Sequence, residues 1–172
     1  IKSQLALGGA RPSLFQVTLT NPVNAAADLK FPFMCRAAQM PASTLGMIEV
    51  PYFGRKIKIA GDRTFAEWTT TVINDEDFSV HSGMVNWMNL INGHSSNIQS
   101  VPNTDYQADA TVRQFKKDGS LAKEVKIVNC WPLSLGQIEL AWDSNDTIEE
   151  FEVTWQLDYW TIDDAQVQTG TE

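Results

Sequence analysis

The residues of this chain that could do chemistry are few, and their spacing forms no catalytic or metal-binding set. The two histidines, His81 and His94, have no His-x-x-x-His or Cys-x-x-Cys partners of the kind that hold zinc. A Gly-rich phosphate loop, a nucleophile elbow and a kinase signature are all missing from the sequence. We therefore expect both histidines at the surface, and the sequence predicts no enzyme, no cofactor and no metal site.

Acidic side chains cluster twice, and each cluster has a simpler role than catalysis. Asp75, Glu76 and Asp77 come just before a predicted helix, where carboxylates cap free amides and interact favourably with the helix dipole. Glu150 and Glu152 share one face of a predicted strand, with Glu149 beside them, which is typical of a solvated surface. Neither cluster predicts general acid–base catalysis.

Cys35 and Cys130 lie far apart on two predicted strands. Two free, buried thiols are the favoured expectation, because nothing else in the sequence is typical of a secreted protein, and one disulfide is the alternative.

The net charge of −8 and a pI of about 4.7 limit the classes of partner. Nucleic-acid and anionic membrane surfaces attract Lys and Arg, so direct binding to either is disfavoured. The apolar stretch from Leu5 to Ala10 is too short for a signal peptide, and no apolar run approaches the roughly 18 residues of a membrane span.

The last third of the chain alternates apolar and polar residues, which predicts strands with one buried face. Ile138, Leu140 and Trp142 alternate with polar or small residues, and 143–146 breaks the pattern. A second alternation follows over 150–159. We predict a long hairpin across 131–160 with its turn at 143–146.

Other segments predict more strands and one helix. Strands are expected at 15–20, 31–39 and 64–74, and a hairpin joins 106–115 to 121–131 around the turn signal at 117–120. At 78–92, Val80, Met84, Trp87, Met88 and Ile91 form one apolar stripe at helical spacing. That segment is the one convincing helix of the sequence.

Residues 46–60 are punctuated by Gly and Pro yet rich in apolar side chains. They predict a protruding hairpin with Phe53-Gly54 at its tip, and an apolar protrusion usually needs a partner to cover it. The alternative is a long loop folded back on its own core. The candidate contact residues are Met47, Ile48, Val50, Tyr52, Phe53, Arg55 and Ile57.

One mainly β domain accommodates these elements, as a β-sandwich or barrel with the helix across one end or face. We expect an N-terminal arm at 1–10, the domain at 11–160 and a flexible tail at 161–172. The alternation places these residues in the core: Phe15, Val17, Trp68, Val72, Trp87, Trp142, Phe151, Val153 and Trp155.

Several of these segments together resemble the tail tube proteins of contractile-tailed bacteriophages (myoviruses). The resemblance is carried by Arg-Pro-Ser-Leu-Phe-Gln-Val at 11–17, Arg-Lys-Ile at 55–57, Gly-Asp-Arg-Thr-Phe-Ala-Glu-Trp-Thr at 61–69, Asn-Asp-Glu at 74–76, Trp-Pro at 131–132, Gly136, Leu140, Trp-Asp-Ser-Asn at 142–145, Phe-Glu-Val at 151–153 and Leu-Asp-Tyr-Trp at 157–160. It implies two packed antiparallel sheets with a flanking helix. It also implies hexameric rings that share a 24-stranded inner barrel and stack into a hollow tube.

The same resemblance implies the partners and the location. The chain would assemble with itself and with tail sheath, baseplate and tail terminator proteins, in the virion tail after assembly in the host cytoplasm. DNA would pass through the bore without specific binding. Candidate lumen-facing acids are Asp109, Glu124, Glu139, Glu150 and Glu152.

Two other functions stay open at this stage. A type VI-like or other contractile injection tube would share the fold and the hexamer but carry effectors rather than DNA. A carbohydrate-binding β-sandwich would be a monomer with an exposed Trp platform.

Overall fold

The computed structural model describes residues 10–20, 22, 30–32, 34–99, 101–102 and 105–162 of the 172-residue chain. Its strands are β1 Phe15–Leu19, β2 Cys35–Ala38, β3 Ser43–Tyr52, β4 Arg55–Phe65, β5 Trp68–Ile73, β6 Ala108–Phe115, β7 Leu121–Leu135, β8 Glu150–Gln156 and β9 Tyr159–Ile162. The helix α1 runs Ser79–Ile91. The fold is mainly β, as the sequence predicts.

Two antiparallel sheets share the long strand β7. Its N-terminal half pairs with β6 and β9, which with β1 gives a first sheet in the order β1-β6-β7-β9. Its C-terminal half pairs with β8, giving a second sheet in the order β7-β8-β5-β2. One hydrophobic core joins residues of both sheets, so each sheet has an inner apolar face and an outer polar face.

Asn129 is where β7 leaves one sheet for the other. Its backbone has φ 54°, a left-handed conformation that Asn tolerates better than most residues. Its amide N–H donates to Oδ1 of Asp109 over 3.3 Å, and its side-chain Nδ2 donates to Oδ2 of Asp158 over 2.9 Å. These bonds satisfy polar groups at a corner where the regular ladder is interrupted.

Trp155 lies at the centre of the core among other aromatic rings. Its ring centroid is 5.6 Å from that of Trp87 and 6.0 Å from that of Trp68, and all three residues are buried. Trp87 Nε1 donates to the Tyr106 carbonyl over 2.7 Å, and Trp68 Nε1 donates to the Gln39 carbonyl over 2.7 Å. The large apolar rings are thus buried while their indole N–H groups keep acceptors.

Helix α1 covers the inner face of the second sheet through the apolar stripe that the sequence shows. Val80, Met84 and Trp87 are buried on it. The residue at the N-cap is Phe78, in a left-handed conformation, and Asp77 Oδ1 accepts the N–H of Ser79 over 3.0 Å. The acidic segment before the helix therefore does supply a capping group, one position earlier than the N-cap itself.

The predicted strand at 31–39 is wrong in its first half. Lys30, Phe31, Pro32 and Met34 are helical, and β2 begins only at Cys35. Phe31 is buried, with its ring centroid 6.3 Å from that of Trp155. Core packing of this aromatic ring therefore accounts for its apolar character without a strand.

The predicted hairpin across 131–160 is also wrong in its first arm. Residues 136–149 are not a strand, and the partner of β8 is the end of β7, at Trp131 to Leu135. Both edges of β8 are occupied, by β7 on one side and β5 on the other, so no edge is left for 137–142. The second arm is interrupted at Leu157 and Asp158, which separate β8 from β9.

Most predicted core residues are buried. Val17, Trp68, Val72, Trp87, Phe151, Val153 and Trp155 are buried, and Phe15 is partly buried against the core. Trp142 is the exception: its side chain is fully exposed, so its assignment to the core was wrong. The strand β9 extends to Ile162, inside the predicted tail, whereas 1–9 and 163–172 lie outside the described residues.

Candidate self-assembly surface

The strands β3 and β4 form a hairpin that stands apart from both sheets. Their ladder runs from the pair Ser43–Phe65 to the pair Tyr52–Arg55 and forms a separate two-stranded sheet. At the tip, Phe53 and Gly54 both have positive φ, 45° and 74°, as a two-residue hairpin turn requires. This is the protrusion that the sequence predicts over 46–60.

The hairpin is exposed on both faces along most of its length. All the predicted contact residues are exposed: Met47, Ile48, Val50, Tyr52, Phe53, Arg55 and Ile57. Phe53 at the tip is 90% exposed, and Leu45 and Ile59, which the sequence analysis left out of the set, belong to the same surface. A lone two-stranded ribbon is marginally stable in water, so this surface needs cover.

A close approach of the two strands shapes the hairpin near its base. A Cβ at Gly46 would lie 3.1 Å from the Asp62 carbonyl oxygen, and a Cβ at Gly61 would lie 3.3 Å from the Gly46 carbonyl oxygen. The strand register shifts there, between Leu45 and Met47. Glycine at both positions lets the backbones meet at the irregularity.

Aromatic and backbone contacts attach the hairpin base to the domain. The rings of Phe65 and Trp160 meet edge to face with centroids 6.2 Å apart. Trp160 Nε1 donates to the Ala42 carbonyl over 3.4 Å, and the N–H of Ala66 donates to the same carbonyl over 3.2 Å. The hairpin therefore projects from a fixed base beside the start of β5.

The hairpin carries an excess of positive charge although the chain as a whole is acidic. It carries Arg55, Lys56, Lys58 and Arg63 against two acids, Glu49 and Asp62. All four cations are exposed, and Lys56 Nζ lies 2.9 Å from a carboxylate oxygen of Glu49. An apolar ribbon with excess positive charge favours an acidic, partly apolar partner surface.

A second exposed apolar group lies in the segment 136–149, which we call the acidic loop. Leu140 is 81% exposed, Ile148 is 70% exposed and Trp142 is fully exposed. The loop begins with Gly136, whose N–H donates to the Glu152 carbonyl over 2.6 Å. Sequence reasoning missed this surface because it placed the same side chains in a strand.

The candidate lumen-facing acids lie on two different faces. Asp109 and Glu124 are on the outer face of the first sheet, where Asp109 pairs with Lys126 at 3.7 Å and Glu124 pairs with Arg113 at 3.5 Å. The other three are on or beside the second sheet: Glu150 and Glu152 on the outer face of β8, and Glu139 in the acidic loop.

The histidines and cysteines that the sequence singles out do not meet in one site. His81 lies on α1, and its ring centroid is 5.2 Å from that of Phe151. It is half-buried, whereas the sequence predicts a surface histidine. His94 is exposed, as expected. Cys35 and Cys130 are both free and buried, and burial raises the pKa of each thiol to about 12. Within the described ranges, no group of three or more His, Cys, Asp or Glu could hold a metal ion.

No helix in the described part of the chain has the length and apolar character needed to cross a membrane. What the geometry does offer is an exposed, apolar hairpin on a β-sandwich. Such a surface is typical of a structural subunit that assembles with other copies or with partner proteins.

Comparisons with known proteins identify the class. The family described as "Phage tail tube protein" matches residues 10–163. The tail tube protein gp19 of Enterobacteria phage T4 is 40% identical over 152 residues, covering 88% of this chain and 90% of that protein. The tail tube protein of Serratia phage KSP90 is 30% identical over 147 residues, covering 84% and 83%.

A solved structure shows the same fold at low identity. The tube-terminating cap of the anti-feeding prophage has a TM-score of 0.68 and 18% identity, covering 91% of this chain and 92% of that chain. The chain belongs to the phage tail tube protein family, and the resemblance seen in the sequence is confirmed. It is a structural component of the virion tail and not an enzyme, so the carbohydrate-binding alternative is set aside.

Proposed function

We propose that this protein forms hexameric rings that stack into the inner tube of a contractile phage tail, and that DNA passes through the bore during ejection. The observation that carries this proposal is the exposed apolar hairpin β3–β4 on a member of the tail tube family. Alone in water this hairpin would expose its apolar side chains, whereas a ring or stack of copies covers them.

The two sheets also support a barrel shared between copies. In the part of the chain that the structure describes, each sheet has four strands, counting β7 in both. Four strands from each of six subunits would supply a 24-stranded inner barrel. Closing such a barrel pairs the edge strands of neighbouring subunits and removes edges that would otherwise promote aggregation.

Repetition makes modest contacts sufficient for a rigid tube. One hydrogen bond across a junction contributes roughly 1 kcal/mol net, so six symmetric copies contribute roughly 6 kcal/mol to each ring junction. Head-to-tail stacking then repeats the same junction along the tube.

The proposed bore is polar and contains acids. A face rich in Lys and Arg would hold passing DNA at many phosphates, and such contacts accumulate steeply. We assign the bore to the outer face of the second sheet, where Glu150 and Glu152 stand with one cation, Arg36, which pairs with Glu150. The outer face of the first sheet carries Arg113 and Lys126 in addition to its acids.

The partners in this proposal are further copies of the chain, a tail sheath, a baseplate and a tail terminator, with assembly in the host cytoplasm. A structure of similar fold forms the terminating cap of another tube, which supports a terminator partner. An injection tube that carries a cargo other than DNA would use the same subunit contacts.

Negative-stain electron microscopy of the purified protein tests the proposal directly. We expect rings or tubes at high protein concentration. The matched variant lacks residues 48–57, which are exposed and outside the core.

That deletion should leave a soluble domain with the near-ultraviolet circular dichroism of packed tryptophans, but no tubes. Tubes formed by the deletion variant would contradict the role of the hairpin. A wild-type protein that stays monomeric at every concentration would overturn the proposed function.

A further inference from the structure

The acidic loop combines exposed apolar side chains with one sign of charge. Over 136–149 it carries four acids and no Lys or Arg: Glu139, Asp143, Asp146 and Glu149. Together with Arg36, Ile73 and Glu150, which lie at one end of the outer face of the second sheet, the loop borders an open cleft of about 1170 Å³. The cleft is large enough for several side chains of another segment.

The hairpin β3–β4 has the complementary properties. Its four cations and two acids give it a net charge of +2, whereas the acidic loop has −4. Both surfaces expose large apolar residues, with Tyr52 and Phe53 at the tip of one and Leu140 and Trp142 on the other. The two sides of a protein–protein interface commonly combine apolar side chains with charges of opposite sign, and the hairpin and the acidic loop have these properties.

These two surfaces lie at opposite ends of the same strand. The hairpin base adjoins the Trp68 end of β5, where the N–H of Ala66 donates to the Ala42 carbonyl over 3.2 Å. The acidic loop is tied to the other end, beyond Ile73, where the N–H of Asn74 donates to the Glu149 carbonyl over 2.9 Å. Asn74 Nδ2 also donates to a carboxylate oxygen of Glu149 over 3.1 Å.

Because the hairpin and the acidic loop lie at opposite ends of β5, a contact between them joins different copies head to tail. Six residues of β5 separate the two ends by roughly 17 Å. Two hairpins repel each other through their excess positive charge, and two acidic loops repel each other as well. A donor surface at one end and an acceptor at the other give a head-to-tail interface that repeats from copy to copy.

We propose that the β3–β4 hairpin of one copy docks in the acidic-loop cleft of the next copy, with Arg55 and Lys58 facing Asp143 and Asp146, and with Phe53 against Trp142. This inference rests on the proposed function, because it names the surface that receives the hairpin in the assembly. It assigns a role to the exposed Trp142, which is outside the core.

Charge reversal tests the pairing. One variant combines Arg55→Glu with Lys58→Glu, a second combines Asp143→Lys with Asp146→Lys, and a third carries all four changes. Each double change should raise the protein concentration needed for tube formation by about tenfold or more, and the fourfold change should recover most of that loss. Equal charge changes at Lys116→Glu with Lys117→Glu, in the β6–β7 turn, should have little effect.

All these positions are exposed, so thermal unfolding of each unassembled variant should match the wild type and separates assembly from folding. If the fourfold variant assembles no better than either double variant, the pairing is refuted.

Cross-linking separates this inference from the proposed function. Phe53→Cys and Trp142→Cys are placed in one chain and treated with a short bismaleimide, to which the buried Cys35 and Cys130 are poorly accessible. Assembled tubes should give a ladder of covalent multimers, and either cysteine change alone should give none.

Tubes that form without a ladder would show that the proposed function holds while the hairpin docks elsewhere. A wild-type protein that forms no tubes would remove the proposed function, and this inference with it.

Discussion

The indole Nε1 of Trp155 donates a hydrogen bond of 3.0 Å to the hydroxyl of Thr70, and both residues are buried in the core. Thr70 lies on β5 and Trp155 on the neighbouring strand β8. A threonine on the inner face of a sheet is unusual unless its hydroxyl has a partner, because burying an unpaired polar group is costly.

We predict that Thr70→Val destabilises the isolated subunit although it keeps the side-chain shape. The change leaves the Trp155 N–H buried without an acceptor, which costs about 1–3 kcal/mol. Urea denaturation followed by tryptophan fluorescence measures the free energy of unfolding. Thr71→Val, on the opposite face of β5, is the matched control and should change stability by about 0.5 kcal/mol or less. Equal stability of Thr70→Val and the wild type would contradict the prediction.

The parts of this fold that the sequence predicts well are those with local signals. The hairpin β3–β4 and the β6–β7 hairpin each combine alternation with a turn containing a positive-φ glycine, Gly54 or Gly119. Helix α1 has its stripe of Val80, Met84 and Trp87 within one segment. In each case the residues that decide the structure are close in sequence, so the pattern is sufficient.

The wrong secondary-structure predictions arise where residues distant in sequence determine the structure. The alternation of 138–142 is that of a strand, but β8 already has β5 and β7 as neighbours, a fact that no local pattern contains. The passage of β7 between sheets depends on Asn129 bonding to Asp109 and Asp158. Alternation predicts that a segment has two faces, but not which strand it pairs with or whether it pairs at all.

For the same reason, only one of the two exposed apolar surfaces could be predicted from the sequence. The hairpin was recognisable from its apolar side chains between Gly and Pro. The acidic loop was not, because Trp142 and Leu140 are residues that a strand would bury. Its four acids without any Lys or Arg were the signal that could have separated an exposed loop from a core strand.

We predict that both cysteines react slowly with thiol reagents while the protein is folded. Burial raises the pKa of Cys35 and of Cys130 to about 12, so the reactive thiolate is scarce at pH 8. Compared with an unfolded thiol of pKa about 8.5, the thiolate fraction is lower by roughly three orders of magnitude.

Ellman's reagent at pH 8 should therefore detect close to no thiol in the native protein and two per chain in urea without reductant. Two thiols in urea would also show that the cysteines do not pair. Fast native reaction, or no thiol after unfolding, would each contradict this prediction.

We predict that Asp77 stabilises the fold in a pH-dependent way. Its side chain bonds the Lys30 ammonium and the Ser79 amide, and these bonds lower the pKa of Asp77 to about 2 while the pKa of Lys30 is raised. Because the folded-state pKa lies below the unfolded value of about 3.9, this contribution is full above that value. It is lost as the pH falls towards 2.

The variant Asp77→Asn isolates the charge, since its side-chain oxygen can still accept the Ser79 N–H. The thermal midpoint of the wild type should exceed that of Asp77→Asn at pH 5, and the two should converge near pH 2. The difference should be small, because both charged groups are exposed to solvent. A carboxyl NMR titration of Asp77 with its midpoint near pH 4 would contradict the prediction.

We predict that charge in the bore controls DNA passage without controlling assembly. Glu152 is exposed on the outer face of β8, between Thr71 of β5 and the end of β7. In phage that carry Glu152→Lys in the tube subunit, six added cations per ring would hold phosphates of the passing DNA. Tails should appear normal by electron microscopy, whereas DNA delivery into host cells should be slower and should recover at higher salt.

The matched control is Glu124→Lys, which makes the same charge change on the outer face of the first sheet. That face points away from the proposed bore, so delivery should stay near the wild-type rate although the pairing with Arg113 is lost. If Glu124→Lys slows delivery and Glu152→Lys does not, the first sheet lines the bore. If neither variant changes delivery while both assemble, the acidic lining has no role in DNA passage, because a bore that tolerates six new cations per ring does not depend on its charge.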